Sequence, residues 1–140
     1  MKERYQNLQK IVVDTATEIG LSIVENNLLA STDNDAKQLA QFVVASCEEL
    51  LTRYPWRSRI GDDPWVMNES GEYAEELSSD TDVPLIDSRL LKLGSRWRYL
   101  HAKGLTYDED FRKYETRISS FAFDSNQART FNLNTEVLET

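Results

Sequence analysis

The chain has 140 residues, of which 40% are hydrophobic and 29% charged, with five glycines and three prolines. This composition suits one globular domain and excludes collagen-like, proline-rich and wholly disordered classes. A formal net charge of -8 disfavours the wrapping of nucleic acid, and one cysteine with one histidine excludes an intramolecular disulfide and zinc sites built from several such ligands.

The N-terminus and the longest apolar runs carry no targeting or membrane signal. No run approaches the roughly 18 apolar residues of a membrane span. The opening MKERYQNLQK lacks the apolar core of a secretory signal. We therefore expect a protein made in the cytoplasm, without a membrane contact, a metal or a cofactor.

The first predicted helix covers 3–19, where apolar residues recur every three or four positions, and Gly20 follows as a helix stop. Residues 21–31 are predicted to connect it to the next helix while packing on the core. Thr32 and Asp35 have the spacing of a capping box and predict the start of a second helix, which Pro55 ends. Cys47 lies in the apolar stripe of that helix, so we expect a buried thiol.

Residues 55–83 show no helical periodicity and form a predicted insertion. WVM and EYAEEL are strand candidates with NESG as the turn between them, which indicates a short irregular segment or a β-hairpin. Residues 60–87 carry nine acidic side chains and no lysine or arginine.

Two further helices are predicted beyond the insertion. The third begins at Pro84, because proline suits a first helical turn, and Gly104 ends it. The fourth begins at a second capping box formed by Thr106 and Glu109. The short connection makes the two helices antiparallel neighbours. The fold class is therefore mainly α, a four-helix bundle with an insertion between helices two and three.

Charge is segregated along the chain. The third helix carries basic side chains without an acid between Ser88 and Gly104, directly after the acidic insertion. These cations either pair with acids of neighbouring elements or meet the acidic region of another copy, in a contact that can close into a ring. A contact with DNA phosphates is disfavoured by the net charge. The candidate inter-subunit residues are Arg89, Lys92, Arg96, Arg98, Asp62, Asp63, Glu75 and Glu76.

The residues offer little for catalysis. Neighbouring acids on a strand point to opposite faces, so pairs such as Glu75 and Glu76 do not form a general acid and base. His101 lies near a helix end, where a surface or capping role outweighs a catalytic one. No metalloprotease, nucleophile-elbow or phosphate-loop motif occurs. We predict that the chain is not an enzyme.

Three tryptophans are candidate anchors. Trp97 lies in the apolar seam of the third helix and is expected in the core. Trp56 and Trp65 each follow a proline and either pin the insertion to the helices or, if exposed, anchor an interface.

Two stretches resemble head-to-tail adaptor proteins, also called connector or head completion proteins, of short-tailed and related bacteriophages. One is ASTD followed by a helix that ends in Arg53, Tyr54, Pro55 and Trp56. The other is the pattern LLxLGxxWRxxxAKGLxYxEDFxxYE at 90–115. The resemblance covers residues 1 to about 125. The insertion is shorter than in other members, so its sheet is expected to be minimal or absent.

The resemblance implies a structural virion protein at the head–tail junction. It also implies a ring, commonly of about twelve copies, that would bind the portal protein, receive the tail tube or nozzle and continue a channel through which DNA passes without specific binding. Residues 1–128 would form the adaptor domain, with 55–83 as the insertion, and 129–140 an extended arm that docks on the portal. The implied apolar anchors of the arm are Phe131, Leu133, Val137 and Leu138.

A function from another class also fits the acidic composition. An acidic regulatory protein directed at the host would bind and inhibit a basic partner.

Overall fold

The structure, a computed structural model, describes residues 4–21, 28–53, 56–60 and 63–121. It is mainly helical and contains a small three-stranded antiparallel sheet. The helices are α1 (Leu8–Glu18), α2 (Asn34–Leu51), α3 (Trp56–Ile60), α4 (Ser88–Ala102) and α5 (108–121), with a 3-10 turn at Leu28–Ala30. The strands are β1 (Val66–Met67), β2 (Tyr73–Ala74) and β3 (Val83–Pro84).

The hydrophobic core lies where α4 packs against α1 and α2, which also contact each other. α1 and α2 contribute most of the apolar stripe that their periodicity predicts, whereas α4 also buries Leu91 and Tyr99, which lie outside its predicted stripe. From α5, Tyr114 and Ile118 complete the core, with Tyr114 fully buried. Other fully buried side chains are Leu8, Ile11, Leu39, Val43, Leu50, Leu90 and Leu91. No helix in the described ranges is long and apolar enough to cross a membrane.

The first helix is shorter than the sequence predicts, since it begins at Leu8 and not at residue 3. Asn7 caps it by accepting a hydrogen bond from the Lys10 amide (2.8 Å). Ahead of it, the Gln6 amide donates to Ser88 Oγ (2.6 Å) and the Arg4 carbonyl accepts from the Ser88 amide (2.9 Å). These long-range bonds hold the segment against the start of α4 in a non-helical conformation.

The predicted starts of α2 and α4 are wrong by one and by four residues. α2 is capped by Asp33, not Thr32, because the Asp33 carboxylate accepts from the amides of Asp35 and Ala36. α4 begins at Ser88, not at Pro84, and Asp87 caps it by accepting from the Leu90 amide (3.1 Å).

The hairpin of the insertion forms as the turn sequence predicts. Val66 pairs with Ala74 and Met67 with Tyr73. In the turn, Asn68 Oδ1 accepts from the amides of Ser70 and Glu72, and Gly71 has a φ of +85° that favours glycine.

β3 and α3 were not predicted from the sequence. β3 lies on the other side of β1, with Val66 opposite Pro84 and Met67 opposite Val83. Proline is tolerated there because β3 is an edge strand. The pairing of 83–84 with β1 is the reason that helix formation is delayed to Ser88.

The end of α4, the start of α5, the cysteine and the connector were also predicted from the sequence. Gly104 follows α4 with a φ of +71°, as expected of a helix stop. α5 begins at 108, two residues after the predicted cap, and Glu109 binds Arg112 in place of a capping amide. Cys47 is fully buried, and burial raises the pKa of its thiol. Leu28 of the connector is buried, whereas 22–27 lie outside the described residues.

Candidate interaction surfaces

The predicted basic residues of α4 form ion pairs within the chain. Each pair joins α4 to another helix and so contributes to the packing of α4. The pairs are Arg89–Glu18 (3.1 Å), Lys92–Asp14 (2.9 Å), Arg96–Asp110 (2.9 Å) and Arg98–Glu49 (2.6 Å). This is the first of the two arrangements that the sequence left open, and a contact of the same residues with another copy stays a prediction.

A half-buried polar network surrounds Glu49 on α2. Its Oε1 accepts from Arg98 Nη2 (2.6 Å) and from the Tyr114 hydroxyl (2.7 Å), which links three helices. Although burial raises the pKa of Glu49, the hydrogen bonds from Tyr114 and Arg98 outweigh it and hold that pKa below its usual range. Burial and the bond to Glu49 raise the pKa of Tyr114. Arg98 is therefore largely buried, and its guanidinium group is bound within the chain.

A second ionic centre lies at Asp87, at the start of α4. Its side chain is 6% exposed, caps α4 and accepts from Arg117 Nε (2.9 Å) and Nη2 (3.2 Å). Arg4 Nε lies 3.9 Å from the same carboxylate. Two guanidinium groups therefore share one carboxylate, which leaves a local excess of positive charge.

Arg4 and Arg117 are two of six cations that line an open surface, which we call the basic groove. It consists of two clefts of about 590 and 370 Å³ that share Arg89 and Arg117. Asp87 is the single acidic residue among those lining the two clefts in the described part of the chain. The six cations are Arg4, Arg89, Lys92, Arg112, Lys113 and Arg117. The groove is a positive region on a protein of strongly negative net charge.

The sequence analysis identified only part of this groove. Arg112, Lys113 and Arg117 belong to α5, and Arg4 precedes α1, so the four come from outside the basic stretch of α4. There was little indication of a basic surface on α5 in the sequence, because that helix carries acidic side chains among its basic ones.

A separate acidic surface, the hairpin cleft, lies between α2 and the insertion. Its volume is about 430 Å³, and its carboxylates come from Glu48, Glu75 and Glu76. Trp65 and Leu77 line it together with aliphatic side chains of α2. The cleft thus combines an apolar lining with three carboxylates.

The other candidate acids fall apart from this cleft. Asp63 is exposed just after α3 and does not line it, and Asp62 lies outside the described residues. Among the described ranges, no group of three or more His, Cys, Asp or Glu side chains is placed to hold a metal ion.

The tryptophans occupy three different environments. Trp56 is 4% exposed, and its ring lies 5.4 Å from that of Phe121. Trp65 is half-buried in the hairpin cleft. Trp97, expected in the core, is only partly buried, because its position on α4 faces α5 near the connecting turn.

Trp97 belongs to an aromatic cluster at the turn between α4 and α5. Its ring lies 5.0 Å from Phe111 and 4.6 Å from the Arg98 guanidinium carbon. His101 is exposed and meets Tyr107 edge to face at 4.7 Å, in keeping with a surface position near the end of α4.

Comparisons with family models, with curated proteins and with solved structures found no match. The resemblance to phage adaptor proteins therefore stays a prediction that depends on the two motifs. The arm at 129–140, with all four of its anchors, lies outside the described residues.

Proposed function

We propose that this chain is a structural virion protein that joins the capsid portal to the tail. Its body would be a four-helix bundle with a small sheet insertion, and it would carry out no catalysis. The observation that carries the proposal is the presence of two surfaces of opposite charge, the basic groove and the hairpin cleft, on one small helical chain. The two adaptor-like motifs at the start of α2 and along α4 and α5 support it.

Two surfaces of opposite charge that do not overlap favour the assembly of identical copies. A contact in which one patch meets a different patch is heterologous, and it closes into a ring when the rotation between copies permits. A ring of about twelve copies would leave a central channel for DNA. Acidic residues on its wall would keep DNA from adhering, because like charges repel.

The arm at 129–140 is the proposed contact with the portal protein. Its apolar residues are separated by Asn and Thr and are too few for a core of their own. We expect such a segment to bind along a partner and not to form a domain of its own. The opposite side of the ring would receive the tail tube or nozzle.

Mass spectrometry of purified virus particles tests this proposal directly. We expect the chain among the structural proteins at about twelve copies per particle, at the head–tail junction in labelled particles. Absence of the chain from purified particles would overturn the proposed function.

The second candidate is an acidic regulator that binds a basic host protein, and the hairpin cleft is the observation that favours it. A regulator would be found in infected cells but not in purified particles. It would also bind a basic partner through Glu75 and Glu76, so that Glu75→Lys combined with Glu76→Lys would abolish that binding while particles form normally.

A further inference from the structure

The basic groove and the hairpin cleft have no lining residue in common. One lies along α4 and α5, and the other is formed by α2 and the insertion. Because one copy carries both surfaces and they do not overlap, the two surfaces can contact two different neighbours at the same time. This is the geometric requirement of a heterologous contact.

Three of the six cations of the groove form close ion pairs with other elements of the chain. Arg89, Lys92 and Arg117 each form an ion pair of 3.1 Å or less with an acid of another element. Among the residues that the structure describes, Arg112 pairs with Glu109 on its own helix alone. Both side chains are more than 60% exposed, so water and salt weaken that pair. Lys113 is exposed and has no ion pair within 4.0 Å among the described residues.

The hairpin cleft has the chemistry to hold a long basic side chain. Its apolar lining can cover a methylene stem, while its carboxylates face the charged head. The half-buried ring of Trp65 adds a surface for a cation–π contact. Glu75 and Glu76 are both exposed and are therefore accessible to another molecule.

We propose that the hairpin cleft of one copy binds Lys113 and Arg112 of the next copy. This inference rests on the ring assembly proposed above and names its contact. The occupant is a second copy because the cleft presents three carboxylates and α5 presents two adjacent exposed cations on a separate surface of the same chain. The same contact leaves the intramolecular pairs of α4 intact.

Charge reversal followed by mixing tests this contact. One variant carries Lys113→Glu and Arg112→Glu, and the other carries Glu75→Lys and Glu76→Lys. Each variant alone places like charges across the contact, so its self-association, measured by sedimentation velocity and native mass spectrometry, should weaken at least about tenfold. In a 1:1 mixture the reversed surfaces meet, and we expect the two variants to assemble in alternation with wild-type strength.

Lys37→Glu is the matched control, since Lys37 is exposed on α2 and lines neither surface. It should associate like the wild type. Every changed side chain is exposed, so we expect all variants to keep the fold. Thermal unfolding of each variant checks this expectation.

The possible outcomes separate this contact from the adaptor function. Wild-type association in either variant alone, or no recovery in the mixture, would overturn the contact. A wild-type chain that stays monomeric up to millimolar concentration would also overturn it. In each case, detection of the chain in purified particles would leave the adaptor function standing, whereas its absence from particles would overturn that function independently.

Discussion

Gly94 on α4 lies directly against Ser46 on α2. A Cβ atom added at Gly94 would fall 3.0 Å from Ser46 Cβ and 2.9 Å from Tyr114 Cε1, both closer than side chains normally approach. Glycine here lets α2, α4 and α5 approach closely around the Glu49 network. The LG of the adaptor-like motif at 93–94 therefore has a packing role in this fold.

We expect Gly94→Ala to lower the free energy of unfolding by about 1–2 kcal/mol. Overpacking costs about 1–3 kcal/mol, and contacts of 3.0 Å and less place this substitution in the upper half of that range. A gain of about 1 kcal/mol in helix propensity offsets part of the cost. Urea unfolding measures the change. Ser119→Ala, on the exposed side of α5, is the control and should alter stability by less than about 0.5 kcal/mol. A Gly94→Ala protein more stable than the wild type would show that α2 and α4 are not in close contact.

The helix caps Asp33 and Asp87 should contribute differently to the free energy of unfolding. Asp33→Ala removes a cap alone and should cost about 1 kcal/mol. Asp87→Ala also leaves Arg117 without its buried partner, so we expect about 2 kcal/mol or more. Asp87→Asn keeps a good capping residue and isolates the loss of the ion pairs. Equal effects of the two alanine variants in urea unfolding would contradict the structure at Asp87.

Acid should destabilise the protein partly through Glu49. Its pKa in the folded state is depressed, so the unfolded state takes up the proton first as the pH falls. The stabilising contribution is complete above the usual glutamate pKa of about 4.3 and is lost as the pH falls further, through the lower folded-state value. Glu49→Gln should therefore reduce the loss of stability between neutral and acidic pH.

Urea unfolding at a series of pH values measures this effect. Glu69→Gln, a change of the same charge on the exposed hairpin turn, is the control. Part of the acid sensitivity should persist in Glu49→Gln, because Asp14, which is hydrogen-bonded to Lys92 and Lys10, also has a lowered pKa despite its partial burial. An unchanged pH profile in Glu49→Gln would refute the role of the network.

Deletion of 129–140 should separate folding from portal attachment. Residues 4–121 already bury a core that joins α1, α2, α4 and α5, so we expect the unfolding midpoint in urea to be unchanged within error. Particles made with the truncated chain should lack it at the head–tail junction. Combined substitution of Phe131 and Leu133 by Asp is the full-length counterpart and should have the same effect. Normal incorporation of the truncated chain would rule out the arm as the portal contact.

Much of the helical framework could be predicted from the sequence, because helical periodicity is a local property. The stripes predicted for α1 and α2 contain most of the apolar residues that the structure buries there, whereas the stripe predicted for α4 omits the buried Leu91 and Tyr99. The NESG turn located the hairpin between Met67 and Tyr73. The separation of acidic and basic stretches was also visible in the sequence.

The starts of the helices and the basic groove depended on contacts between distant residues. Pro84 has a local preference for a helix start, yet pairing with Val66 holds it in a strand, and Asp87 becomes the cap. Residues 4–7 fit a helical stripe, yet Ser88 binds their backbone in an extended segment. Arg4, Arg112 and Arg117 converge on one groove only because α5 folds back along α4. The sequence by itself determined which faces are apolar and where charge accumulates, and the tertiary structure decided which cations are neutralised inside the chain and which remain exposed to a partner, since ion pairing depends on distances that only packing sets.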